Sequence, residues 1–283
     1  MFLFKKIAPL RHFLAIARKA RGSVGFVPTM GALHEGHAAL VTAAVQAHDC
    51  VVCSIFVNPT QFNDARDLEK YPRTPHKDIE LLTKVGCQVL FMPSVQEVYP
   101  SAAPPEPLYQ FGHLDQVMEG AFRPGHFAGV AQVVRRLLDI VSPDAIFMGQ
   151  KDFQQVRIVQ EMLAQTALPV RLVMYPTVRE TDGLAMSSRN VRLTTAHRNE
   201  AAVIHQALLR ARELAAKHAP VQEIQRTALA MLNAPPGFRA EYFDIVDAKT
   251  LLPLEHLGNG QTAVACTAVW AGEVRLIDNM LLA

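Results

Sequence analysis

The chain has 283 residues, half of them hydrophobic and 19% charged. Burial can therefore offset chain entropy, which excludes a disordered protein, and at roughly 150 residues per domain the length suits two domains. Its 28 basic and 26 acidic residues leave a formal charge of +2. That balance excludes a broad nucleic-acid-binding face, and no apolar run approaches the about 20 residues that a membrane helix needs.

The first acidic residue is Glu35, preceded by Lys5, Lys6, Arg11, Arg18, Lys19 and Arg21. A basic, acid-poor start can be a mitochondrial presequence. Residues 24–28 already read as a core strand, however, so an amphipathic first helix of a cytoplasmic protein is the expectation. From 24 to 175 strands and helices alternate. Strands are expected at 24–29, 51–57, 87–92, 145–148 and 170–175. Helices are expected at 36–48, 79–85, 130–141 and 153–163. Residues 100–107 hold four prolines and read as loop. This order predicts an α/β fold, a parallel sheet with helices on both faces.

After Pro176 the alternation ends. One long helix is expected over 194–218, with Ala201, Ile204, Leu208, Ala211 and Leu214 on one face. A second runs over 220–233 and stops at Pro235-Pro236-Gly237. Strands follow at 242–246, 262–270 and 274–277. Helices followed by strands suggest a smaller α+β domain, giving a division into 1–175 and 176–283.

The four cysteines are too few for a disulfide framework in a chain this long. Cys50 and Cys53 form a C-x-x-C inside an apolar strand. Residues three apart in a strand point to opposite faces, so these thiols read as core residues rather than a redox pair.

Ligands of open parallel sheets bind beyond the C-terminal ends of the strands. The first such loop is Pro28-Thr29-Met30-Gly31-Ala32-Leu33-His34-Glu35-Gly36-His37. A helix follows it, and a helix N-terminus offers N–H groups and a positive dipole end that suit phosphate. His34 and His37 share a face at three-residue spacing, where both imidazoles can donate to a triphosphate. The segment is one residue short of H-E-x-x-H, lacks a nearby third metal ligand and lacks the Gly-Lys-Ser/Thr ending of a P-loop. A polar turn with incidental histidines is the competing reading for this segment alone. The second loop carries Asn58 and Gln61, amides that orient hydroxyls and carboxylates. The third, Gly149-Gln150-Lys151-Asp152, combines a glycine permitting close approach, a mobile cation and a potential ribose acceptor. The fourth, Met186-Ser187-Ser188-Arg189, sets two hydroxyls beside a guanidinium that can grip pyrophosphate. The four together argue more strongly for a nucleotide site than any one alone.

With these segments in place, the chain resembles the pantoate–β-alanine ligases (pantothenate synthetases) along essentially its whole length. The matching segments are 26–37, 54–62, 149–152 and 186–189. His34-Glu35-Gly36-His37 is similar to the H-I-G-H signature of nucleotidyl-transferring enzymes with a Rossmann-like, doubly wound sheet. Met186-Ser187-Ser188-Arg189 is similar to their K-M-S-K-S loop, with arginine in place of the second lysine.

The resemblance implies a two-step ligation. Pantoate carboxylate attacks the α-phosphate of ATP, and β-alanine then attacks the acyl carbon, releasing AMP. It implies ATP contacts from Met30, Gly31, Ala32, Leu33, His34, Glu35, Gly36 and His37, with His37 as proton donor. Gly149, Gln150, Lys151, Asp152, Val178, Met186, Ser187, Ser188 and Arg189 complete the nucleotide site, with Lys151 and Arg189 screening phosphate charge. Gln61 and Gln155 would bind pantoate, and Gln61 also β-alanine, with Pro28, Met30 and Phe56 beside the pantoate methyls. Mg²⁺ is implied with the phosphates, without assigned ligands. Residues 122–127 look like a mobile lid, and a homodimer is implied. A nucleotidyltransferase of the same superfamily is the alternative.

Overall fold

The computed structural model describes residues 1–62, 65–100, 109–258 and 260–282. The expected proline-rich loop lies, from residue 101 to 107, outside them. The chain forms two compact units. Unit 1 holds Met1–Phe111, Arg123–Gly149 and Ile158–Pro176, and unit 2 holds Gly112–Phe122, Gln150–Arg157 and Thr177–Ala283.

Unit 1 is built on six strands: β1 (Phe2–Phe4), β2 (Val24–Thr29), β3 (Cys50–Ile55), β4 (Val89–Phe91), β5 (Ala145–Gly149) and β6 (Arg171–Tyr175). They pair in the order β1-β4-β3-β2-β5-β6, every pair parallel. The chain moves outward from β2 through β3 to β4, then returns to the other side of β2 for β5 and β6. The order therefore reverses between β2 and β5, the place where such sheets bind ligands. Helices α1 (Ile7–Arg21), α2 (Glu35–Ala47), α3 (Ala65–Lys70), α4 (Pro75–Lys84) and α5 (Val95–Val98) belong to unit 1, α6 (Glu119–Phe122) to unit 2, α7 (His126–Val141) to unit 1, and α8 (Phe153–Thr166) starts in unit 2 and continues in unit 1 from Ile158. Val27, Val51, Cys53, Leu90 and Phe147 bury one sheet face against Leu40, Val41 and Ala44 of α2 and Leu82 of α4. Strand side chains alternate, so fully buried Phe26 turns to the other face, where α7 packs on β2 and α1.

Unit 2 contains α9 (Thr195–Glu200), α10 (Val203–Ala216) and α11 (Val221–Leu232), with the antiparallel strands β7 (Phe238–Asp247), β8 (Ala263–Ala271) and β9 (Val274–Leu281) in that order. Ile204, Leu208 and Ala211 of α10 and Ile224 and Leu232 of α11 are buried with Ile245, Ala265, Val269 and Leu276 of the sheet. Each fully buried aliphatic side chain contributes about 1.5–3 kcal/mol.

Several elements differ from expectation: the short helices α3, α5 and α6 were not expected, α4 starts four residues early, and strands at 238–247 and 274–281 run further than expected. The helix expected over 194–218 is two helices, because Ala201 N–H bonds to Arg198 C=O and Ile204 N–H to Ala201 C=O, three residues back. This tightening keeps Ala201 at zero exposure, so the apolar stripe runs unbroken through the break and hides it. Strand β1 was not expected, since three residues are too few to show a period. Helix α7 starts four residues early, at His126, after Gly125 in the left-handed region at φ +79°. All four cysteines are buried and none is in a disulfide. Burial pushes the Cys53 thiol well above its ordinary range and Cys87 up to about 11.

Candidate active site

The loop after β2 is fixed from below. Thr29 Oγ1 donates to Ser54 C=O at 2.7 Å and accepts the Gly31 N–H at 3.2 Å. Gly31 lies at φ +81°, and a Cβ there would stand 2.9 Å from Ile55 Cγ2. Both conditions call for glycine. Asp78, in the first turn of α4 and 2% exposed, accepts N–H bonds from Ala32 at 3.1 Å and Leu33 at 2.8 Å, and the Thr74 hydroxyl at 3.0 Å. Asp78 thus braces the loop, a role that one acidic residue on an amphipathic helix does not announce.

His34 and His37 have their tautomers set by the helix they start. His34 is the N-cap of α2, and its Nδ1 accepts the Gly36 N–H at 3.2 Å. His37 Nδ1 accepts the His34 N–H at 3.3 Å, the reciprocal half of a capping box. A ring nitrogen that accepts is unprotonated, so the neutral form of each ring carries its proton on Nε2. The rings lie 4.1 Å apart between centroids. Two Nε2–H donors thus stand beside the N–H groups at the start of α2, an arrangement suited to phosphate oxygens.

The loop after β3 is held by side chains from far along the chain. Asn58, 1% exposed, donates to Gly129 C=O at 3.1 Å, Thr60 Oγ1 at 3.0 Å and Gln61 Oε1 at 3.3 Å, and accepts the Tyr99 hydroxyl at 3.1 Å. Gln61 Nε2 in turn lies 3.2 Å from Met30 Sδ, linking this loop to the first. Gly129 permits the approach of α7, since a Cβ there would stand 2.5 Å from Thr60 O. Arg123 only donates, so His126 Nε2 accepts from its NH1 at 3.3 Å and His126 Nδ1–H donates to Gln61 C=O at 2.8 Å. The segment expected to be a mobile lid is therefore anchored at its end: His126 and Phe127 are buried in the first turn of α7.

The other candidate residues belong to unit 2, apart from Gly149. Gln150–Asp152 form a 3₁₀ turn, in which Lys151 Nζ is 3.6 Å from Asp152 Oδ1. Gln154 is the structural member of the glutamine pair that follows. Its amide donates to Leu114 and Val117 carbonyls at 2.7 and 2.8 Å, whereas Gln155 is half-buried. Met186 N–H donates to Val178 C=O at 3.0 Å, closing a small hairpin that delivers Ser187. Ser187 Oγ accepts the Arg189 N–H at 3.2 Å, which folds Ser187, Ser188 and Arg189 into a tight turn.

A family model described as Pantoate-beta-alanine ligase matches residues 2–281. The chain belongs to the pantoate–β-alanine ligase family. It is 48% identical to a pantothenate synthetase of Porphyromonas gingivalis over 280 residues, 99% of each chain. It is 49% identical to the pantothenate synthetase of Phocaeicola vulgatus, again over 99% of each. Among solved structures, pantothenate synthetase from Thermus thermophilus superposes with a TM-score of 0.93 at 44% identity, over 100% of this chain and 99% of that one. A ligase of this family from Francisella tularensis, solved in complex with beta-gamma ATP and beta-alanine, superposes with a TM-score of 0.80 at 33% identity, over 100% and 98%.

Proposed function

We propose that this member of the pantoate–β-alanine ligase family condenses pantoate with β-alanine at the expense of ATP, through a pantoyl adenylate. The family match over residues 2–281 carries the assignment, and the geometry of the loops supports the division of labour. In the first step a pantoate carboxylate oxygen bonds to the α-phosphorus and pyrophosphate leaves. The protein need only align the reactants and stabilise the charge that develops on phosphate. The loop from Met30 to His37 is assigned to ATP, with the Nε2–H groups of His34 and His37 as donors. His37 acts first as a hydrogen-bond donor to the departing phosphates and then as a proton donor. Lys151 and Arg189 neutralise the β- and γ-phosphates, and Ser187 and Ser188 hydrogen-bond there. Gly149, Gln150, Asp152 and the main chain at Val178 and Met186 are assigned to the nucleotide.

Gln61 and Gln155 are assigned to pantoate, and Gln61 also to β-alanine. The amine then attacks the acyl carbon, forming the amide and expelling AMP. Among the described residues no three His, Cys, Asp or Glu side chains are grouped to hold a metal. Mg²⁺ is assigned with the phosphates, without protein ligands, and once bound it would add its charge to that of Lys151 and Arg189. A lid role for residues 176–283, a homodimer and a cytoplasmic location complete the proposal on family grounds, and no helix among the described residues is long and apolar enough to cross a membrane.

At steady state AMP should form only with pantoate, β-alanine and ATP all present. AMP release without β-alanine would contradict a ligase. A stable nucleotidylated product would favour a nucleotidyltransferase instead.

A further inference from the structure

We propose that Asn279 is a positioning residue for adenylate formation, setting the backbone that carries Lys151, and that its neighbour Asp278 does the same for the turn that carries Arg189. This deepens the proposed function and rests on the assignment of Lys151 and Arg189 to the phosphates. Both residues lie in β9, an edge strand of the unit 2 sheet, at 2% and 3% exposure. Two consecutive buried polar residues break the period-two pattern of a half-buried strand. Each spends its polar atoms on a candidate phosphate loop.

Asn279 Nδ2 donates to the Gln150 carbonyl at 2.9 Å and to the Lys151 carbonyl at 2.8 Å, and its Oδ1 accepts from Gln150 Nε2 at 3.2 Å. Two of these three bonds hold the peptide planes after Gln150 and Lys151 in the Gln150–Asp152 turn, and so the direction in which the Lys151 side chain leaves it. Asp278 holds the Arg179 guanidinium by a two-pronged pair, NH1 to Oδ2 at 2.6 Å and NH2 to Oδ1 at 3.1 Å. Arg179 NH1 also donates to Gly183 C=O at 3.1 Å, and Arg179 is bridged to Ala185 across the hairpin that leads into Ser187. One dipeptide thereby fixes both loops.

The test is Asn279→Asp, which keeps size but offers no donor to the two carbonyls. kcat/KM for ATP should fall about 10²-fold, while the rate at which β-alanine captures supplied pantoyl adenylate stays within about twofold. Asn279→Gln, which keeps the donors and moves them by one methylene, should give a smaller loss in the same parameter at an unchanged melting temperature. It keeps the test alive if Asn279→Asp does not fold. Thr267→Val removes another buried hydrogen bond of the same sheet, from Thr267 Oγ1 to Tyr242 C=O at 2.7 Å. It should lower the melting temperature without changing kcat/KM for ATP. Lys151→Ala is measured in parallel. If Lys151→Ala leaves kcat/KM for ATP intact, the phosphate assignment of Lys151 fails. A crippled Lys151→Ala beside normal Asn279 variants, or equal losses in both half-reactions, would overturn positioning by Asn279 alone.

Discussion

In the proposed function His37 has two jobs, one for each ring nitrogen. Nδ1 accepts the His34 N–H and helps cap α2, while Nε2–H is the group assigned to phosphate. The two are separable by substitution. His37→Asn retains an acceptor near the Nδ1 position and loses the Nε2 donor, whereas His37→Ala loses both. Both variants should lower kcat by about 10²-fold or more, and only His37→Ala should also lose the about 1 kcal/mol of a helix cap. Near-normal kcat in both would leave His37 as a cap alone. At this scale the sequence announced the residues packed into short motifs. It did not announce Asp78, His126 or Asn279. Their partners stand 45, 65 and 129 positions away, and nothing local reveals that a carboxylate, an imidazole or an amide will bond to a distant backbone.

Among the elements, apolar periodicity located the interior strands and most helices, because it reports directly which face is buried. It could not report breaks that leave the apolar stripe intact, which is why α9 and α10 read as one helix. It was also silent on polar cores. Short helix α6 carries Glu119, buried with Arg275 of β9 and Tyr242 of β7. Arg275 donates to Glu119 at 2.7 and 2.6 Å and through Nε to Glu241 at 2.8 Å, and the Tyr242 hydroxyl donates to Glu119 at 2.9 Å. Burial, then the Glu119 charge, pushes the Tyr242 phenol well above its ordinary range. Burial acts to lower the Arg275 value, and the Glu119 and Glu241 carboxylates more than reverse it. Arg275→Met would remove the guanidinium from buried Glu119 and half-buried Glu241 and should cost about 3–5 kcal/mol in urea unfolding. A cost below about 1 kcal/mol, as for an exposed pair, would contradict a structural role for this network.

For the molecule as a whole, strand–helix alternation up to residue 175 and its loss afterwards were enough to give the fold class, because a parallel sheet demands a crossover between strands. The departure of Gly112–Phe122 and Gln150–Arg157 into unit 2 was not legible, since periodicity tells which face is apolar and not which core receives it. The proposed reaction likewise draws on segments of both units. The proposed intermediate is an acyl adenylate, and isotope transfer tests it most directly. Pantoate labelled with ¹⁸O in its carboxylate is turned over with ATP and β-alanine, and the products are weighed by mass spectrometry. The pantoate oxygen that bonds to the α-phosphorus must leave with it, so AMP should carry one ¹⁸O atom per turnover. Unlabelled AMP, or ADP with the label in inorganic phosphate, would contradict it.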